Sequence, residues 1–153
     1  VAADLSVPHR RQQSESGCLS ACVEMVLAYW GQVHTQAALS RILGTDPDVG
    51  TPASRVLHLQ SPALAVSYIQ ASENDIRRWL AEHVPVIALV HTAELPYWSE
   101  RCAHAVVVVR MDDAWVWVND PAFDQAPLRV PTGDFALARD AMDNYVAVLR
   151  PTS

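Results

Sequence analysis

Residues 12–31 read QQSESGCLSACVEMVLAYWG, and the fold turns on how this stretch is read. Cys18, Cys22, Met25, Val26 and Tyr29 recur at the spacing of one helix face, and Gly31 ends the pattern. Ser14, Ser16 and Gly17 suit a turn into a helix start, so the spacing predicts a helix opening at Cys18. At that end, unpaired backbone N–H groups and the helix dipole favour a thiolate. Gln12 precedes the turn, from where its amide can swing beside the sulfur. One turn-to-helix unit therefore offers a nucleophile and a candidate oxyanion donor.

The 153 residues suit one domain over 1–153 with a real core, with 1–11 as an irregular lead-in. Pro8 and the basic run His9-Arg10-Arg11 give that lead-in a solvated character. Half of the residues are apolar and 18% are charged, the balance of an ordinary globular domain. A net charge of −6 argues against nucleic acid or an anionic membrane as the main partner. Three cysteines make no disulfide framework and fit a reducing compartment. Apolar runs such as Ala105–Val109 are too short to span a bilayer, and no signal peptide is visible. These features point to a cytoplasmic location with no membrane span. The chain opens on Val1 rather than methionine, as a piece of a longer protein would.

Downstream, Thr35 is placed to cap a short helix that runs to Leu43 and is closed by Gly44. Residues 45–50, TDPDVG, form a loop by composition. Thr51-Pro52 reads as an N-cap followed by proline at the first helical position, with a helix to about Leu59. Leu64–Gln70 alternates as a strand. Ser72 with Asp75 is a capping-box-like start to a helix that buries Ile76, Trp79 and Leu80. Pro85–Val90 and Ala103–Met111 read as buried strands, with a loop over 91–102 between them. Asp112-Asp113 reads as a turn, Ala114–Asn119 as a strand and 120–127 as a loop. Leu128–Val130 reads as a short strand, Thr132 as the cap of a helix to about Met142, and Tyr145–Leu149 as a last strand. Helices lead and an antiparallel sheet follows, which is an α+β layout.

A cysteine nucleophile needs a base, and the base needs an orienting group. Of six histidines, His104 stands out because it opens the valine strand Ala105–Val109. The next strand ends at Asn119-Asp120-Pro121, so a tight turn near Asp112-Asp113 brings His104 and Asp120 together. Parity decides whether they share a face. A strict two-residue loop at Asp112-Asp113 pairs Met111 with Ala114 and sends Asp120 to the wrong side. A three-residue loop or one bulge puts it on the face of His104, with Val116 and Val118. The odd loop or a bulge is therefore expected. Trp115 and Trp117 then fall on the other face and read as core.

Gln12, Cys18, His104 and Asp120, at these spacings, resemble the papain-like C39 peptidase group, and in particular its stand-alone C39-like members. The segments HVPVIALV, LPYWSERCAHAVVVV and WVWVNDPAF extend the likeness, which runs from about Gln12 to Pro151. One departure is Arg110, where family members often place glycine. No Walker A motif accompanies the domain, so the sequence is not a whole peptidase-transporter. The resemblance implies a papain-like cysteine peptidase fold and a peptide or protein substrate, with no metal and no cofactor. It implies Cys18 as nucleophile beside imidazolium His104, with Asp120 fixing the ring tautomer. It also implies that the Gln12 side chain and the Cys18 backbone N–H bind the oxyanion. Because papain-like enzymes commonly use asparagine as the orienting group, Asp120→Asn is expected to retain far more activity than Asp120→Ala.

Other readings of the same residues differ in class. Cys18 alone suits a buried structural cysteine, and Asp120 before Pro121 suits a turn. Cys22 reads as core, and Cys102 as a partly buried neighbour of His104. Cys18, Cys22, Cys102 and His104 together supply the inventory of a Cys3His zinc site, though at looser spacings than common zinc modules and with no use for Gln12 or Asp120. A peptidase-like domain that binds peptides without cutting them is a third class. Tyr97 and Trp98, in the loop before His104, are candidates for lining a substrate cleft. Leader-peptide processing after paired glycines is the activity expected of a processing-type member.

Overall fold

A computed structural model describes residues 4–153. Helix α1 spans Cys18–Tyr29, and α2 spans Gln36–Leu43. A 3-10 helix at Ala53–Leu59 leads to strand β1 (Leu64–Gln70), helix α3 (Glu73–Ala81) and strand β2 (Val86–His91). Then come β3 (Ala103–Met111), β4 (Trp115–Asn119), β5 (Leu128–Pro131), helix α4 (Thr132–Asp140) and β6 (Tyr145–Pro151). The strands form one sheet in the order β1-β6-β2-β3-β4-β5, every pair antiparallel. The fold is the expected α+β arrangement of helices packed on an antiparallel sheet.

Helix α1 is apolar on nearly all sides and buries Leu19 through Val23 and Met25 through Leu27, as a helix packed centrally must. It lies against β3, whose residues His104–Val109 are all buried. Thr35 caps α2 by accepting from the Ala38 N–H, and Gly44 closes it in the left-handed region at φ 66°. Ser72 and Asp75 make a complete capping box at α3. Ile76 and Leu80 are buried there, and Trp79 packs half-buried against the core.

Two expected caps differ. Pro52 (ψ 125°) stands outside its helix, which starts at Ala53 as a 3-10 turn. The Thr51 hydroxyl is bonded to that of Thr45 instead of capping. At α4 the cap position belongs to Pro131, and the Thr132 hydroxyl donates to Asp112 O at 3.3 Å. The proline fixes its own φ ahead of the helix, which leaves Thr132 as the first helical residue. That helix stops at Asp140 rather than near Met142.

The lead-in is more than a solvated tail. Residues 1–3 of the 1–11 expectation lie outside the described residues, but Leu5 and Val7 are core. The Leu5 N–H donates to Val109 O at 3.0 Å, and Asn119 Nδ2 donates to Val7 O at 3.0 Å. His9 Nε2 bonds Phe123 O at 2.7 Å, and the Gln12 N–H donates to Pro121 O at 2.8 Å. The segment is therefore a strap across the end of β4 and the loop that follows it. Alternate apolar residues at 5 and 7 carry this signal, which the basic run masks.

The β3–β4 hairpin sets the site. Met111 pairs with Val116, and the Asp112 N–H donates to Trp115 O at 2.9 Å. The chain thus turns at Asp113-Ala114, one residue later than expected. Asp112 Oδ1 holds the turn by accepting from the N–H groups of Ala114 and Trp115. That turn alone has the wrong parity. The register then shifts between Val108↔Val118 and Arg110↔Trp117, which makes Val109 a bulged residue. Beyond it Val107 faces Asn119. One further step in that register sets Asp120 on the face of His104. Trp115 and Trp117 lie on the opposite face but are half-buried rather than core. Arg129 covers the Trp115 ring at 3.8 Å and Arg110 covers Trp117 at 4.3 Å.

Candidate active site

The N-terminus of α1 delivers Cys18. Gly17 occupies the cap position with no side-chain cap, so among the described residues no side chain accepts from the first N–H groups of the helix. The turn before it is tight. A Cβ on Gly17 would lie 2.9 Å from Ser14 Oγ and 3.3 Å from Ser14 O, so a side chain there would have to displace this turn.

His104 is 5% exposed, and Asp120 is fully buried. His104 Nε2 lies 2.7 Å from Asp120 Oδ1, which leaves Nδ1 for the thiol side of the ring. Cys18 and His104 both line one cleft of about 320 Å³. Its apolar wall includes Leu19, Tyr68, Leu89 and Met142, and the loop from Val49 to Ala53 forms its rim.

The electrostatics follow from this packing. Burial presses the His104 pKa down, but the hydrogen bond to Asp120, the neighbouring Cys18 thiol and the charges of both outweigh it. The value is pushed from 6.5 up to about 9. Burial opposes ionisation of Asp120, yet His104, the Tyr97 hydroxyl and the Ala122 N–H hold its carboxyl below the ordinary range. Cys22 is fully buried one helical turn on. Burial, and then the nearby Cys18 and Asp120, raise its thiol well above the ordinary value, so it stays protonated.

Asp120 has more partners than the sequence suggests. Tyr97 OH donates to Oδ2 at 2.7 Å, and Trp98 Nε1–H donates to the same oxygen at 2.9 Å. The Ala122 N–H donates to Oδ1 at 2.9 Å. The Trp98 ring also meets the rings of His104 (4.9 Å) and Phe123 (5.2 Å) edge-on. Tyr97 and Trp98 are thus engaged with Asp120, and the cleft holding Cys18 and His104 is lined by other residues. Its aromatic wall is Tyr68, stacked on Tyr145 at 4.7 Å. No motif marks Tyr68, because strand β1 reaches the cleft only through its pairing with β6.

Gln12 sits in the turn beside the site. Its Nε2 donates to Ser14 O at 2.8 Å and Glu15 O at 3.2 Å, and its Oε1 is buried with no partner among the described residues. The structure therefore gathers Cys18, His104 and Asp120, and places the Gln12 amide on the carbonyls just upstream. The zinc inventory is not gathered. Cys22 is enclosed in the core, and Cys102, expected to be partly buried, is exposed. Among the described residues no three His, Cys, Asp or Glu side chains are arranged to hold a metal ion.

The model of the Peptidase C39 like family matches residues 4–145. The chain belongs to the peptidase C39-like family. It is 28% identical over 117 residues to the lactococcin-G-processing and transport ATP-binding protein LagD of Lactococcus lactis subsp. lactis. That match covers 72% of the chain but only 15% of the relative. A candidate C39-like peptidase from Bacillus anthracis superposes with a TM-score of 0.77 at 17% identity, over 100% of this chain and 99% of that one. A double glycine motif protease from an AMS/PCAT transporter, solved with its leader peptide, gives 0.75 at 19% identity, over 98% and 95% of the two chains. The peptidase domain of Streptococcus ComA, a bifunctional ABC transporter, gives 0.76 at 18% identity, over 94% and 98%. At these identities the structural likeness establishes the papain-like α+β fold of C39 peptidase domains. Among the described residues no helix of this C39-like domain is long and apolar enough to cross a membrane.

Proposed function

We propose that this C39-like domain is a cysteine peptidase that cuts a peptide leader through Cys18, His104 and Asp120. The observation that carries the reading is the 2.7 Å bond from His104 Nε2 to Asp120 Oδ1, with Cys18 and His104 walling the same cleft. In this mechanism Cys18 Sγ, as thiolate beside imidazolium His104, attacks the scissile carbonyl carbon. The carbonyl π electrons move to oxygen. The oxyanion takes hydrogen bonds from the Cys18 backbone N–H and from Gln12 Nε2, which first leaves the longer of its two carbonyl contacts. His104 Nδ1–H protonates the leaving amine, and the C–N bond breaks to give a thioacyl-enzyme. Water then gives a proton to Nδ1 and attacks the thioester, returning the thiolate. Asp120 keeps Nε2 protonated throughout.

The leader-peptide class is supported by the family match and by the double-glycine protease and LagD among the similar proteins. The test incubates the domain with synthetic leader peptides bearing a Gly-Gly pair and follows products by mass spectrometry. Cleavage by the wild type, with none by Cys18→Ala, is expected. Losing the Gln12 donor should lower kcat by about 10²–10³, the usual cost of one oxyanion donor. Binding of these peptides without cleavage by the wild type would instead establish a non-cleaving domain.

A further inference from the structure

Four hydrogen-bond donors converge on the two oxygens of buried Asp120. Oδ1 receives His104 Nε2–H and the Ala122 N–H, and Oδ2 receives Tyr97 OH and Trp98 Nε1–H. Three of the four cannot reverse. An indole and a backbone amide donate only, and His104 Nε2 carries the proton whenever Nδ1 is to exchange one with Cys18. The Tyr97 hydroxyl alone could rotate to accept. Each oxygen therefore faces at least one obligate donor, and the site is closed to water because Asp120 has no exposed surface.

An asparagine at this position satisfies neither arrangement. With its oxygen on His104 and Ala122, its NH2 meets Trp98 Nε1–H, a donor against a donor. With the amide turned over, its NH2 meets the Ala122 N–H and demands that His104 Nε2 lose its proton, which moves the ring to the wrong tautomer. We propose that Trp98, with Tyr97 beside it, is a positioning residue that makes the site require a carboxylate at position 120. The usual papain-like exchange of aspartate for asparagine is thereby closed to this chain, and Trp98 Nε1–H is the group that closes it. The inference rests on the proposed partnership of His104 Nδ1 with Cys18. It runs against the expectation that Asp120→Asn retains far more activity than Asp120→Ala.

The test is a reversal of sign. With aspartate at 120, Trp98→Phe should slow alkylation of Cys18 by limiting iodoacetamide, because Asp120 loses a donor. With asparagine at 120, the same change should speed it. Asp120→Asn is expected to reduce the rate by about tenfold to a hundredfold, the effect of one buried donor left unpaired. Asp120→Asn/Trp98→Phe should recover about tenfold of that loss. Tyr97→Phe should recover none, since it leaves the indole N–H in place. Nitrogen NMR of the His104 ring in Cys18→Ala protein gives a second readout that needs no reactivity. The Nε2–H tautomer should be lost or weakened in Asp120→Asn and restored when Trp98→Phe is added. The melting temperature should show the same reversal if Asp120→Asn weakens the fold.

A full alkylation rate and an intact Nε2–H tautomer in Asp120→Asn would overturn the proposal. So would a Trp98→Phe effect of equal size and direction in both backgrounds. None of these measurements uses a peptide substrate. The reversal without any peptide cleavage would sink the peptidase reading and support this one.

Discussion

Three thiols lie within this chain, and their surroundings rank them. Cys22 is fully enclosed with a raised pKa, which makes it inert. Cys102 is exposed, and its sulfur takes a 3.7 Å contact from the Thr92 hydroxyl. Cys18 has the helix N-terminus and His104. Brief labelling with limiting iodoacetamide, read by mass spectrometry, should modify Cys18 first; Cys102 ahead of Cys18 would argue against an activated thiol. A pH dependence follows from His104. Its pKa is raised from 6.5 to about 9, so the leaving-group acid of the proposed mechanism persists to about pH 9 and is lost above it. Peptide turnover should fall on that alkaline limb, while alkylation, which needs only the thiolate, should continue. The same shift carries a stability effect. A raised folded-state pKa stabilises the fold fully below pH 6.5, and that contribution disappears as pH rises to about 9. Asp120 acts in the other direction. Its lowered pKa stabilises the fold above the ordinary 3.8, and this is lost as acid protonates it. Thermal melts across pH should fall at both ends.

Elements far from the cleft affect stability without touching chemistry. The Ser72 hydroxyl accepts from the Asp75 N–H at 3.1 Å, and Asp75 Oδ2 accepts from the Ser72 N–H at 2.9 Å. Ser72→Ala removes half of this box at an exposed helix start. It should cost about 1 kcal/mol in denaturant unfolding and leave the Cys18 labelling rate unchanged. The β3–β4 hairpin is the contrasting case, because its bulge at Val109 sets which face Asp120 occupies. The need for an odd step there was legible from the spacing of His104 and Asp120. Its location was not. The turn slid to Asp113-Ala114 because Asp112 Oδ1 captures two N–H groups, and the bulge then restored parity within the strand.

Across the whole molecule, the strap of residues 4–12 ties the β4 end and the Asp120 loop to the start of α1. Leu5 is only 5% exposed, and its N–H bonds the bulged Val109. Leu5→Ala should cost about 2–5 kcal/mol by the usual cavity penalty. It should also slow Cys18 labelling, because the strap that carries Gln12 and braces the loop of Asp120 loosens. Unchanged labelling in a destabilised Leu5→Ala protein would show that the strap supports the fold but not the site.

By itself the sequence determined the local features. The helix opening at Cys18 follows from apolar spacing, the α3 start from Ser72 and Asp75, and the valine strands from β-branched runs. Cys18, His104 and Asp120 stood out because their residue types and their positions at the ends of a helix and two strands are local facts. Only the tertiary structure decided the rest. Tyr97 and Trp98 turn their donors onto Asp120 because a buried carboxylate must have its lone pairs met, and the loop before β3 passes close enough to meet them. Tyr68 walls the cleft because β1 pairs with β6 across the sheet. Leu5 and Val7 are core because a strap can bury alternate side chains with few backbone bonds of its own. Each depends on what distant segments bring to one place, which neither periodicity nor spacing encodes.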